Sequence, residues 1–340
     1  MLTIDRSLGE GGGQILRTAL ALSLITGTPL RIEKIRGRRR NPGLLSQHLT
    51  AVQAAAAVGH AEVEGAALRA NEIVFRPGSV RPGEYRFSVG TAGSACLVLL
   101  TILPALLVAA EPSLLTMEGG THNPAAPPFD FLDRVFFPLL ARMGFRVRGS
   151  LERPGFYPAG GGRFTVHVEP ALRRAPLTLL ERGRTRRRRA QAAVARLARH
   201  IAERELAVVG RQLGWSAGEL EVVGIEESAG PGNVVMLEIE SEHVTELFTG
   251  FGKVKVRAEM VAERAVQEAR GYLAADVPVG RHLADQLLLP LALAGGGSFR
   301  TLPLSAHSTT NIDVLQRFLD VKITTAVTGG AMRLEMTTRS

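Results

Sequence analysis

The 340-residue sequence predicts an α/β (α+β) protein, and three observations carry that prediction. Glycine is abundant at 37 residues while aromatic side chains make up only 5%, which suits a fold with many tight turns between strands and helices. Alternating strand-like runs are followed by helix-period runs, so that one βα module recurs about every 70 residues. Three glycine triplets punctuate the chain: GEGGGQ (9–14), PAGGGR (158–163) and AGGGSF (294–299). The last two each lead into a strand-like run, FTVHVEP (164–170) and FRTLPL (299–304). That self-similarity points to a repeated supersecondary unit, with chance recurrence in a glycine-rich chain as the competing reading.

The elements follow in order. Residues 14–26 predict a helix, because Ile15, Leu16, Ala19, Leu20 and Leu22 form a broad apolar face and Gly27 closes it. Asn41-Pro42 predicts the start of a second helix, with Leu45, Leu49, Val52 and Ala56 as its buried stripe and Gly59 as its end. EIVFRPG (72–78) and EYRFSVG (84–90) alternate as strands. TAGSA (91–95) opens an apolar helix through Leu107, and Pro127-Pro128 precedes another from Phe129 to Met143. From about Arg182 to Tyr272 the chain is richer in charge. It predicts an amphipathic helix over 194–213, strands over 220–225, 234–240 and 243–249, and a helix over 256–273. This stretch is expected to form a smaller α/β domain, 182–274, inserted into a large discontinuous domain made of 1–181 and 275–340.

Composition narrows the function classes. The single cysteine, Cys96, excludes an internal disulfide framework and a cysteine-based zinc site. The N-terminal segment lacks a basic-then-apolar signal pattern, and the most apolar stretch, 95–110, is too short to span a bilayer and contains Pro104. The expectation is a chain in a reducing cytoplasm with no membrane partner. The formal net charge is +9, which favours polyanionic partners. Much of the excess lies in RGRTRRRR (182–189), with a second cluster at Arg36, Arg38, Arg39 and Arg40. RNA contact and a solvated edge are both open for the first run.

Several stretches carry possible chemistry. In GEGGGQILR (9–17) the glycines bare backbone N–H groups where a helix begins, a natural anion site, and Arg17 adds a fixed positive charge. Glu10 beside such a site calls for a bridging divalent cation. The pattern is neither a Walker A nor a Rossmann fingerprint, and a ligand-free glycine turn is its competing reading. GGTHNPAAPPFDF (119–131) is a proline-stiffened loop holding His122 and Asn123. In RHLADQLLLPLALAGGG (281–297), His282, Asp285 and Gln286 share one face of an otherwise apolar helix. His307 stands among Ser305, Ser308, Thr309, Thr310 and Asn311, which can orient an imidazole; so held, its nitrogen can attack phosphorus to form a phosphoramidate. An ordinary loop histidine is the alternative.

Over nearly its whole length the sequence resembles the RNA 3′-terminal phosphate cyclase family. The match is carried by GEGGGQILR (9–17), NPGLLSQHLTAV (41–52), FRPG (75–78), YRF and VGTAGSA within 85–95, and GGTHNPAAPPFDF (119–131). It continues through GFYPAGGG (155–162), GPGN (230–233), HLADQLLLPLALAGGGSF (282–299) and SAHSTTNI (305–312). The resemblance implies a large domain of three repeated βαβαββ-type units, similar to enolpyruvyl transferases, with a smaller α/β domain inserted. It implies ATP, a divalent cation (magnesium or manganese) and an RNA with a 3′-terminal phosphate as partners. It implies that a histidyl–AMP forms, that AMP passes to the RNA 3′-phosphate, and that the 2′-OH closes a 2′,3′-cyclic phosphate.

Carried over by position, His307 is the adenylated nucleophile. His282, Leu283, Ala284, Asp285, Gln286, Pro128 and Leu100 fall in the ATP site. Arg17, Arg39 and Gln47 hold phosphates, and Glu10 holds the metal. The sequence departs from the family in two places: a tyrosine is frequent where His282 stands, and a glutamine is common where Leu100 stands. Two other functions compete. An enolpyruvyl transferase of the same fold has no use for a nucleophilic His307, and a noncatalytic ribosome-assembly relative lacks that histidine.

Overall fold

The structure, a computed structural model, describes residues 1–5, 13–37 and 39–338. Three four-stranded sheets repeat one topology. In the first unit β1 (Leu2–Asp5), α1 (Gln14–Thr26), β2 (Leu30–Glu33), α2 (Ser46–Gly59), β3 (Glu62–Glu64) and β4 (Ile73–Arg76) give the order β1-β2-β4-β3. The second unit has β5 (Glu84–Ser88), α3 (Ala95–Leu107), β6 (Ser113–Gly119), α4 (Phe129–Phe131), a π-helical turn (Leu132–Phe136), α5 (Phe137–Arg142), β7 (Arg146–Arg153) and β8 (Gly162–Glu169), in the order β5-β6-β8-β7. In both, the first pair is parallel and the other two are antiparallel. A helical crossover imposes the parallel pair.

The third unit begins with β9 (Leu177–Leu179) and is then interrupted. The interruption runs through β10 (Thr185–Ala195), α6 (His200–Leu213), a short 3₁₀ turn (Ala217–Glu219), β11 (Leu220–Ile225), β12 (Gly232–Ser241), β13 (Thr245–Phe251) and α7 (Ala258–Ala275). It forms its own sheet, β11-β10-β12-β13. The unit then resumes with α8 (Arg281–Leu293), β14 (Gly296–Thr301), α9 (Ala306–Phe318), β15 (Val321–Thr328) and β16 (Ala331–Thr338). Its sheet order β15-β16-β14-β9, with β9 parallel to β14, repeats the pattern of the other two.

Two hydrophobic cores follow from this arrangement. Helices α1, α3, α8 and α9 pack among the three repeated sheets around Leu16, Leu20, Val98, Ile102, Leu287 and Leu315. The inserted sheet divides its faces. Ala192, Val194, Val235, Leu237 and Ile239 pack under α6 and α7. Ala193, Ala195, Val234, Met236 and Leu247 join the larger core instead. Period-2 alternation sends neighbouring residues to opposite faces, so the insertion is docked by a buried sheet face. A tight contact completes the seam: Phe156 occupies the space a Cβ at Gly232 would need, 2.0 Å from its Cγ.

Some expected elements differ. The second helix starts at Ser46, not at Pro42, because Gly43 takes a left-handed φ of +79° and the backbone N–H of Leu45 donates to His48 Nδ1 at 3.2 Å, closing the first turn there. The helix expected over 129–143 is broken by the π-helical turn. Residues 194 and 195 belong to β10 and not to a helix, because AQAAVA (190–195) pairs with β11 and β12. SAHSTTNID is not a loop: Ser305 caps α9 and residues 306–313 lie within it. No helix among the described residues is long and apolar enough to cross a membrane.

Glu205 on α6 is fully buried, with Oε2 accepting from Asn233 Nδ2 at 2.9 Å and Oε1 without a partner. Burial pushes its carboxyl up to about 7. The folded value lies above the unfolded one, so the neutral acid favours the native state below about pH 4.5 and that advantage is lost as pH rises through about 7. The span corresponds to roughly 3 kcal/mol at most. Glu205→Gln cannot ionise, so its melting temperature relative to the wild type is expected to climb between pH 4.5 and 8. A difference independent of pH would contradict this account.

Candidate active site

Asp285 organises the start of two helices. It lies in the second turn of α8 and is 8% exposed. Ser305 Oγ donates to its Oδ1 at 3.1 Å, and the Ser308 hydroxyl donates to the same oxygen. Asn311 Nδ2 reaches back to the Asp285 carbonyl at 3.2 Å. Ser305 also accepts the Ser308 N–H at 3.0 Å, the usual side-chain cap of a helix. Burial pushes the Asp285 carboxyl above its ordinary range, while the two serine hydroxyls and the positive fields of His307 and His282 pull it back. His307 is a half-buried residue in the first turn of α9, in the electrostatic neighbourhood of Asp285.

The other expected nucleotide-site residues separate by burial. His282 is exposed on the first turn of α8, with Nε2 3.6 Å from Glu268, whose carboxylate raises the imidazole pKa. Gln286 is half-buried. Leu283 and Ala284 turn their side chains into the core, so only their backbone is left to meet a ligand. Pro128 is buried at the N-cap of α4, and Leu100 packs partly against the core.

A second cluster forms where α1, α2 and α3 begin. A Cβ at Gly13, the N-cap of α1, would lie 2.6 Å from His48 Nε2 and 2.7 Å from Arg17 Nη1. Both side chains thus converge on the N-cap of α1. Burial of the Arg17 guanidinium lowers its pKa to about 10, leaving it cationic at neutral pH. Gln47 Oε1 accepts the N–H of Ser94, the N-cap of α3, at 2.9 Å. Helix α1 packs against α9 as well as α2 and α3. His48 is a residue that sequence reasoning passed over. Its signal was its place beside Gln47 on the first turn of a helix. Arg39 is exposed. Glu10, the expected metal ligand, lies outside the described residues. Among the described residues no group of three His, Cys, Asp or Glu is placed to hold a metal ion.

Two stretches singled out from the sequence serve the framework. His122 is 4% exposed, with Nδ1 2.8 Å from Thr121 Oγ1 and Nε2 2.8 Å from Asp130 Oδ2. Asp130 pairs with Arg134 at 2.8 Å, and Arg134 reaches Gln191 at 2.9 Å and Glu238 at 3.3 Å on the inserted sheet. Asn123 donates to the Ala92 carbonyl at 2.5 Å. In the arginine run, Arg187 pairs with Glu238 and Glu240, Arg188 with Glu219, and Arg189 with Glu221. Much of that run's charge is therefore neutralised within the protein.

Comparison with known proteins identifies the family of the chain. The sequence model of the family described as "RNA 3'-terminal phosphate cyclase" matches residues 8–325. A protein of that name from Koribacter versatilis (strain Ellin345) is 51% identical over 339 residues, covering 100% of this chain and 96% of the relative. Another, from Ectopseudomonas mendocina (strain ymp), is 52% identical over 313 residues, covering 92% of each. Among solved structures, the enolpyruvyl transferase NikO from Streptomyces tendae is 12% identical with a TM-score of 0.40; the match covers 98% of this chain and about half, 48%, of that one. The fold itself is a repeat-built α/β architecture whose third unit is interrupted by a separate four-stranded sheet. The chain belongs to the RNA 3′-terminal phosphate cyclase family.

The framework role of His122 is testable. His122→Ala removes the hydrogen-bonded contacts to Thr121 and Asp130 and leaves Arg134 as the remaining side-chain partner of Asp130; it is expected to cost roughly 2 kcal/mol. Urea unfolding measures it. An unchanged midpoint would mean the ring does not hold this seam.

Proposed function

We propose that this protein converts an RNA 3′-terminal phosphate to a 2′,3′-cyclic phosphate at the expense of ATP, with His307 as the nucleophile. The observation that carries the reading is the placement of His307 in the first turn of α9, next to the Asp285 site and on a helix that packs against α1. Family membership supports the overall reaction.

In the first step a His307 ring nitrogen attacks the α-phosphorus of ATP. A P–N bond forms, and the bond to the bridging oxygen breaks, releasing pyrophosphate. A 3′-phosphate oxygen of the RNA then displaces histidine from phosphorus, giving an adenylated RNA end. The neighbouring 2′-OH next attacks the 3′-phosphorus, losing its proton, and AMP departs. A phosphomonoester is a poor electrophile until one oxygen becomes a good leaving group, and the adjacent hydroxyl supplies proximity.

Arg17 and the bared first turn of α1 would neutralise phosphate charge. Gln47 is placed to orient the start of α3, and His282 and Gln286 would edge the nucleotide. Pro128, Leu100, and the backbone at Leu283 and Ala284 would complete its walls. Arg39 would reach phosphate from the 36–45 loop. Magnesium or manganese would be held by Glu10 and would screen phosphate charge. The same reading places the inserted domain at 182–274, between halves 1–181 and 275–340, in a cytoplasmic protein.

Incubation with α-labelled ATP and a divalent cation is expected to give an acid-labile, alkali-stable protein–AMP adduct. Label retained by His307→Ala would remove the assigned nucleophile. An oligonucleotide with a 3′-phosphate is expected to become phosphatase-resistant only with ATP. One lacking the terminal 2′-OH is expected to stop as the adenylated species, and its closing as readily as RNA would overturn the ring-closure step.

A further inference from the structure

Glu246 is a buried carboxyl that none of the chemistry above uses. It sits on β13 of the inserted unit, 2% exposed, in register with Ile239 on the face that packs under α7. Its Oε1 accepts the backbone N–H of Gly280 at 2.5 Å. Gly280 is the N-cap of α8 and has no side chain with which to cap that helix itself. A Cβ there would lie 2.9 Å from Glu246 Oε1 and 3.2 Å from its carboxyl carbon, so the contact requires glycine. The first turn of α8 is therefore tied by a side chain from another part of the fold.

The segment between α7 and α8 is held at its other end too. Tyr272 donates its hydroxyl to the Pro278 carbonyl at 3.2 Å, and Arg182 lies over the Tyr272 ring while pairing with Asp276 at 3.0 Å. Chain entry into the insertion and exit from it are thus clasped beside Glu246. Burial pushes the Glu246 carboxyl up to about 8, which makes a glutamine its close mimic at neutral pH. Two residues beyond Gly280 comes His282, and one further turn brings Asp285 and Gln286.

We propose that Glu246 is a positioning residue for the nucleotide site: by tying the N-cap of α8 from the inserted unit, it sets the turn that presents His282 and Gln286 to ATP. The insertion then acts on ATP affinity without touching ATP. The proposal rests on reading that turn as part of the ATP site.

The test is the rate of protein–AMP formation as a function of ATP concentration, in the full-length chain. Glu246→Ala is expected to raise the half-saturating ATP concentration roughly tenfold, with the plateau rate little changed. Glu246→Gln keeps an acceptor for the Gly280 N–H and is expected to stay within about twofold of wild type. Gly280→Ala, which forces the same contact apart from the other side, is expected to match Glu246→Ala, and the double variant to be no worse than either. Wild-type half-saturation in Glu246→Ala or in Gly280→Ala, or a Gln variant as impaired as the Ala one, would overturn the proposal. Gly280→Ala and Glu246→Gln keep the test decisive if Glu246→Ala does not fold. Failure of the wild type to form any adduct would instead count against the ATP reading itself.

Discussion

The arrangement of the site depends on a carboxyl group that cannot be left alone. Asp285 lies almost out of water, and a buried acceptor without donors costs more than any single hydrogen bond returns. Its donors are Ser305 and Ser308, the hydroxyls at the start of α9. The same serine that satisfies Asp285 also caps α9. Helix α8, helix α9 and the turn bearing His307 are therefore one linked assembly. Replacing Asp285 with an apolar residue would orphan the hydroxyls, and replacing the serines would strand the acid.

The repeat supplies the setting for that linkage. Each unit joins its parallel strand pair through a helix, and the helices collect in one core. The starts of α1, α2 and α3 meet through the Gly13–His48 approach and the Gln47–Ser94 hydrogen bond. The Arg17 guanidinium and the His48 ring are thereby brought together at the N-cap of α1. The inserted unit leaves the third repeat just before α8, and it returns the chain there through a clasp of Arg182, Tyr272 and Asp276. Where it leaves the sequence of the third repeat it also touches that repeat, through Glu246 at the N-cap of α8.

Much of this was legible in the residues. The first helix and the apolar third helix stand where periodicity put them, because long apolar stripes closed by glycine or opened by a serine cap admit few alternatives. The charge-rich stretch of the middle stood out in composition, and β10 to β13 of that stretch form a sheet of their own. What escaped were features set by tertiary partners. AQAAVA (190–195) satisfies a helix pattern as well as a strand pattern, and only its two neighbouring strands decide for β10. His122 looked like a site residue because it lies in a stiff loop; its role as a bridge to the inserted sheet needed Arg134 and Glu238, more than a hundred residues apart in sequence. The serines around His307 were read as holders of its ring, whereas they are engaged by Asp285, twenty residues upstream of the first of them.

If one imidazole at the start of α9 carries adenylate, the adduct formed with ATP can be digested under alkaline conditions and the added AMP mass located by peptide fragmentation. The modification is then expected on His307 alone. AMP found on a lysine, on His48 or on His282 instead would contradict it.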